Sequence, residues 1–407
     1  MRRLRHLVHA ATLGVLLGAA ACENEQLMRP TAFVPIAPLF RSYVSMGNSI
    51  TAGFQSGGIN EATQRESYAV LLAGQMRTPF FIPAMNMPGC PSLYTNVFTQ
   101  TRVAPTVPCA LRVTDAIPSP YISNVAVPGA EVMDALRNLD TASNANALTT
   151  FFLGGRTQWQ MMLRSRPTFI SVWIGNNDVL GAATNATDAG NPALVTPPAT
   201  FATRYGEMMD SVDRVGAMGG VLIGVGNVTA LPYFSLGSTY WYIDNGLVPG
   251  QTFDPAPFTV GPNCAPATFG GNGDQILVPF PFGGALLATA AGGTPTTLDC
   301  TEPQTIQPAE LANLTDAVTA YNATIQAEAA ARAWLYFNPN PALDSLRAAG
   351  DVASFPAFGA PCSANPFGVA FSCDGVHPSA LTHRLLANKL IQEINRTSGT
   401  NLQTISP

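Results

Sequence analysis

Ser49 closes an apolar run in RSYVSMGNSITAGF (Arg41 to Phe54), and Asp374 and His377 stand three residues apart in CDGVHPSALTH. Together they offer a hydroxyl, an imidazole and a carboxylate, the groups needed for acyl transfer to water through a covalent intermediate. A serine hydroxyl is a poor nucleophile at neutral pH, and histidine is its usual base. The chain has four histidines. His6 and His9 lie in an N-terminal leader, which leaves His377 and His383. In Asp-Gly-Val-His-Pro a turn lets the Asp374 carboxylate accept the imidazole N–H, fix its tautomer and support the imidazolium formed during attack. Pro378 suits the start of a final helix. His383, further along that helix, reads as a surface or packing residue.

Positioning these groups requires ordered elements. The run before Ser49 reads as a buried strand entering a turn and a helix start, which puts the serine at the carboxyl edge of a sheet beside free backbone N–H groups. Arg65 to Met76 has helical spacing, with Tyr68, Leu71 and Leu72 on one side. The Pro-rich stretch from Thr78 to Pro120 reads as an irregular excursion. Ile122 to Val127 is a short apolar strand broken at Pro128 and Gly129, where glycine allows close backbone approach to a substrate. A helix over Thr157 to Arg164 stops before Pro167, and the strand Thr168 to Ile174 runs into Gly175, Asn176, Asn177 and Asp178. A helix over Phe201 to Met218, a strand over Val221 to Val228, a long helix over Pro308 to Arg332, the strand Trp334 to Phe337 and a helix around Leu343 to Ala349 continue the alternation. The pattern argues for a mainly parallel sheet covered on both faces. Residues 235 to 307 interrupt it with a Gly-, Pro-, Thr- and Phe-rich insertion of little helical periodicity, read as a cap or lid beside the strand ends. Its Phe253, Phe258, Phe280, Phe282, Leu286 and Leu287 either line an acyl-chain pocket or form the insertion's own small core.

In chain order, Gly47-Asn48-Ser49, Gly129 in NVAVPGAEVMDAL, Gly175-Asn176-Asn177-Asp178 and Asp374-Gly375-Val376-His377 resemble the conserved blocks of the SGNH (GDSL-type) serine esterase and lipase family. The resemblance implies an α/β fold, a flavodoxin-like three-layer α/β/α sandwich over residues 41 to 398. It also implies Ser49 as nucleophile, His377 as base and Asp374 as the triad acid, with an oxyanion hole made by the Ser49 and Gly129 N–H groups and the Asn177 side chain. Such a mechanism requires no metal or organic cofactor, and no Cys-x-x-Cys or His-Glu-x-x-His is present to hold zinc. The family's first block usually reads Gly-Asp-Ser, and Asn48 here keeps most of the hydrogen-bonding capacity of that aspartate. The absence of Gly-x-Ser-x-Gly argues against an α/β-hydrolase nucleophile elbow. The expected activity is hydrolysis of a carboxylic ester, either a lipid or an acylated glycan. A carbohydrate O-deacetylase on the same mechanism and a catalytically silent binding lipoprotein are the alternatives. An apolar tunnel or an open polar groove at the insertion separates lipase from deacetylase.

Residues 1 to 21 carry Arg2, Arg3 and Arg5 and then an apolar run from Ala10 to Ala21, a secretory signal too short to favour a transmembrane helix. Leu-Gly-Ala-Ala-Ala-Cys resembles a bacterial lipoprotein signal in which Cys22 is lipidated. Residues 22 to 40, with Pro30, Pro35 and Pro38, would then be a tether to the membrane. Glu23 after the cysteine implies, under the sorting rule of some bacteria, an outer-membrane position in the cell envelope. Removing the leader's three arginines from the 20 basic residues leaves 17 against 25 acidic, a formal charge of −8 with no basic run, which excludes a nucleic-acid partner. Cys90, Cys109, Cys264, Cys300, Cys362 and Cys373 form an even set, as expected of disulfides in an exported protein. Six cysteines permit fifteen connectivities, of which sequential pairing closes three local loops.

Overall fold

In the computed structural model, which describes residues 36–105, 109–111, 121–137, 151–247 and 257–406, the first apolar run forms β1 (Tyr43–Gly47), buried along its whole length. Asn48 turns the chain and caps the short helix α1 (Ser49–Ala52) through its side chain. Ser67 caps α2 (Tyr68–Met76), so the helix expected from Arg65 breaks at Glu66 and restarts after a serine that competes for the helical N–H groups. The Pro-rich excursion carries a small hairpin of β2 (Tyr94–Asn96) and β3 (Thr101–Arg102). Beyond it come α3 (Gln158–Ser165) with a Thr157 capping box, β4 (Phe169–Trp173), α4 (Asn177–Ala183), α5 (Pro198–Asp213) and β5 (Gly219–Ile223).

The insertion is more regular than its composition suggests. It holds β6 (Phe234–Leu236), α6 (Gly237–Asp244), β7 (Phe258–Val260), β8 (Leu277–Pro279), the 12-residue α7 (Phe280–Ala291) and β9 (Thr296–Leu298). Helix α7 escapes a periodicity reading because Pro281, Gly283 and Gly284 crowd its first turns, where only Pro is locally favourable. Tyr240, Phe258, Ile276, Val278, Leu287 and Leu298 pack around the Cys264–Cys300 disulfide as a core of the insertion's own. Phe253 lies outside the described residues, as do Cys22 and the leader. The chain then returns through α8 (Pro308–Ala331), β10 (Leu335–Phe337), α9 (Asn340–Ala348) and α10 (Ala380–Ser398).

The main sheet runs β1-β4-β5-β10, every pair parallel, with Gly47 opposite Trp173. Side chains alternate across it. Val44, Met46, Ile170 and Val172 join the core under Phe201 of α5 and Tyr321 of α8, whose rings stack at 3.8 Å between centroids. The other face carries Trp173 against Tyr68 of α2 and a buried hydroxyl ladder in which Ser171 Oγ bonds both Tyr43 Oη at 2.7 Å and Ser45 Oγ at 2.8 Å. Helices thus cover both faces of a parallel sheet, as expected. The expected strand from Ile122 is instead an extended segment alongside β1, held by Ser45 N–H to Ser123 O and by Val125 and Val127 N–H to Ser45 O and Gly47 O. Its Asn124 spends its amide on Thr51 O and the Ala126 N–H, so the segment tethers α1 as well as extending the sheet.

Three disulfides join Cys90–Cys109, Cys264–Cys300 and Cys362–Cys373, a content that persists in oxidising compartments. Among the described residues no helix is long and apolar enough to cross a membrane.

Candidate active site

All the candidate groups sit at the carboxyl end of the sheet. Gly47 ends β1 where an added Cβ would strike Thr51 and the Trp173 carbonyl, so only glycine lets β1 approach β4 this closely. Gln158 grips both sides of the Gly47 peptide, accepting its N–H and donating to its carbonyl, each at 2.9 Å. Asn48 Oδ1 accepts the Ile50 N–H at 3.1 Å and its Nδ2 donates to Asn176 Oδ1 at 3.5 Å. An aspartate could make the first bond but has no N–H for the second.

Ser49 is buried, and its Oγ lies 2.9 Å from His377 Nε2. His377 Nδ1 lies 2.9 Å from Asp374 Oδ2. A carboxylate only accepts, so Nδ1 carries the proton and Nε2 presents its lone pair to the serine hydroxyl. Phe54 packs its ring 4.8 Å from the imidazole and fixes its plane. Asp374 is itself saturated with donors. Oδ1 accepts from Ser372 Oγ at 3.1 Å, Val376 N–H at 2.9 Å and His377 N–H at 2.8 Å, and Oδ2 accepts from Gly57 N–H at 2.8 Å besides the imidazole. Burial alone would raise the Asp374 carboxyl, but the facing imidazole and these N–H groups outweigh it and hold the group down at about 2. Ser56 and Ser372 stitch the Gln55–Gly58 turn to this segment by exchanging bonds with each other's backbone region, and the Cys362–Cys373 disulfide anchors the residue before Asp374.

Gly129 follows the segment beside β1, exposed at its turn and at a φ of 82° that side-chain-bearing residues rarely adopt. No hydrogen bond among the described residues uses its N–H. Asn177 opens α4 and donates from Nδ2 to Ala130 O at 2.8 Å, which orients the amide and leaves its second N–H uncommitted. Ser49, Asn177 and His377 line one small cavity of about 40 Å³ with Trp173 and Leu231; Gly129 is not among its lining residues. His383 is fully buried in α10, where its Nδ1 accepts the Tyr68 N–H, so it packs rather than reaches the site.

Gln158, Ser56, Gly57 and Ser372, which no motif announced, hold this arrangement together with the final residue of the 175–178 block, Asp178. The last accepts the Val132 N–H at 3.0 Å from beneath the Gly129 turn. Burial pushes its carboxyl up to about 7; the Val132 N–H, Thr196 and Arg204 oppose the rise, and Glu131 adds to it. The neutral acid is therefore the form the fold favours. Its stabilising contribution is complete below the ordinary carboxylate pKa and disappears as pH rises through about 7. An Asp178→Asn variant, which keeps the acceptor for Val132, should gain on the wild type by on the order of 3 kcal/mol between pH ~4 and ~8. Chemical unfolding across that range measures it, and a gap that does not change with pH would contradict it. Asp374 acts with the opposite sign, stabilising above about pH 4 and ceasing to do so as pH falls toward its lowered value.

Comparison with known proteins finds likeness to this chain among solved structures alone. No protein-family model and no curated protein matches it. Among solved structures, a catalytic mutant of an acetylxylan esterase from Geobacillus stearothermophilus is 12% identical, covers 90% of this chain and 96% of its own, and superposes with a TM-score of 0.38. A GDSL-like lipase candidate from Parabacteroides merdae is 11% identical over 88% of this chain and 94% of its own, at 0.36. An extracellular lipase from Streptomyces rimosus is 15% identical over 86% and 98%, at 0.33. The chain itself is a mixed α/β protein with a parallel sheet and helices on both sides, carrying a hydrogen-bonded serine, histidine and aspartate at the sheet's carboxyl edge.

Proposed function

We propose that the protein is a serine esterase of the SGNH (GDSL) type that hydrolyses carboxylic esters outside the cytoplasm. The observation that carries the reading is the continuous chain from Ser49 Oγ through His377 to Asp374, with 2.9 Å at each step. In this mechanism His377 Nε2 takes the hydroxyl proton as Ser49 Oγ attacks the ester carbonyl. The Ser49 N–H, which opens a helix and has no partner among the described residues, the Gly129 N–H and the second Asn177 N–H receive the oxyanion. Collapse of the tetrahedral intermediate breaks the bond to the alcohol, whose oxygen takes the proton from His377. Water, activated by the same imidazole, then releases the acid and restores Ser49. Asp374 stays ionised throughout, in keeping with its depressed pKa.

The test is turnover of p-nitrophenyl butyrate by residues 23 to 407. Saturable hydrolysis is expected, and none with any acyl group from acetyl to palmitoyl would contradict the reading. The leader composition further supports a lipid on Cys22, and Glu23 after it supports an outer-membrane position. A Cys22→Ser variant should then leave the detergent-extracted membrane fraction for the soluble one, and its retention there would overturn the anchor.

A further inference from the structure

A second cavity, of about 1160 Å³, opens from His377 and meets the small one at Leu180, Val376 and His377. Three segments far apart in sequence wall it: Tyr94 and Phe98 of the β2–β3 hairpin, Ala285 and Ala288 of α7, and Phe355 and Phe358 before the Cys362–Cys373 disulfide. The rings brace one another. Phe98 lies 5.7 Å from Phe280 and 5.1 Å from Phe358, and Phe355 lies 5.2 Å from Phe358, all between centroids. Among the described residues its wall carries one imidazole, His377, and one carboxylate, Asp374, whose oxygens already serve five donors. Thr99, Gln100 and Thr184 and the hydroxyls of Tyr94 and Tyr233 supply further side-chain polarity.

We propose that this cavity binds the long unbranched hydrocarbon chain of a lipid ester, with the ester group at Ser49 and the smaller part of the substrate in the 40 Å³ cavity. The inference rests on the esterase reading for where the ester sits; the chain site itself does not depend on turnover. An acetyl group would leave the large cavity empty, since its volume exceeds the roughly 300–1,000 Å³ of ordinary small-molecule sites. A sugar would find side-chain partners at Tyr94, Tyr233, Thr99, Gln100 and Thr184 but phenylalanine, alanine and other apolar residues over most of the wall, and unpaired buried hydroxyls are costly. A hydrocarbon loses nothing there and gains about fourfold in binding per buried methylene. Gly284, Ala285, Ala288 and Ala291 keep one side of α7 short, which holds the groove open.

The experiment uses two ester series, p-nitrophenyl esters from butyryl to palmitoyl and acetates of alcohols from butyl to hexadecyl, with wild type, Ser49→Ala and Ala288→Trp. Ala288 is exposed on α7, so tryptophan there projects into the groove without disturbing a core. We expect kcat/KM to rise by about 100-fold along one series. The series that rises tells whether the chain belongs to the acid or the alcohol. Ala288→Trp should cut the long-to-short rate ratio by about tenfold or more. In parallel, 11-(dansylamino)undecanoic acid should bind the Ser49→Ala protein and bind its Ala288→Trp double variant about tenfold more weakly. Flat or falling profiles in both series, or binding indifferent to Ala288→Trp, overturn the chain site while Ser49-dependent cleavage of short esters still upholds the esterase reading. Fatty-acid binding that responds to Ala288→Trp without any Ser49-dependent hydrolysis upholds the chain site and sinks the esterase reading.

Discussion

Replacing Ser49 with alanine should lower kcat for p-nitrophenyl butyrate by about 10⁵-fold and leave the melting temperature within about 2 °C of wild type. In the proposed mechanism the hydroxyl is the atom that forms the covalent bond, and the neighbouring hydroxyl does not substitute for it: Thr51 Oγ1 is committed to Tyr68 Oη at 3.0 Å. The fold does not need the hydroxyl. Its one described side-chain bond is to His377, and the imidazole remains oriented by Asp374 and Phe54. Steady-state kinetics beside a thermal melt separates the two effects. A residual rate within tenfold of wild type would remove Ser49 from the chemistry, and a collapsed melt would make it a structural residue.

Asn177→Ala should cost about 10²–10³ in kcat, with KM changed less than about threefold, because in the proposed oxyanion hole the lost N–H acts on charge that develops only in the transition state. The substitution also releases the Ala130 carbonyl from its 2.8 Å bond. A purely structural role would therefore show as a loosened 128–132 turn, with KM and melting temperature moving together. Loss confined to kcat assigns Asn177 to the oxyanion, while an unchanged kcat would exclude it.

Much of this site can be seen in the sequence because its determinants are local. An apolar run that ends in glycine, asparagine and serine has one economical outcome, a buried strand delivering the serine to a sheet edge. Asp374 and His377 are close enough in sequence for one turn to bring carboxylate and imidazole together, and the structure shows that turn closed by the Val376 and His377 N–H groups. The supports are different. Gln158 meets Gly47 across 111 residues and Gly57 meets Asp374 across 317, so no spacing rule announces either pair. The strand expected from Ile122 ends as a one-bridge edge, because Gln158 Oε1 takes the Gly47 N–H that would carry its ladder onward. Helix α7 was hidden by its own glycines and proline, and with it the wall of the large cavity, which no single segment could reveal. The phenylalanines of the insertion divide between the two roles: Phe258 belongs to the local core, whereas Phe280 faces the cavity.

In the proposed mechanism Ser49 is a nucleophile activated by His377. A fluorophosphonate probe tests it directly, because phosphonylation needs the activated hydroxyl and no knowledge of the natural ester. Intact-mass analysis followed by peptide mapping should find one adduct per chain on Ser49. Labelling should slow by about 10³-fold or more in His377→Ala. An adduct elsewhere, or one formed on Ser49 at the same rate without His377, would contradict a Ser49 nucleophile activated by His377.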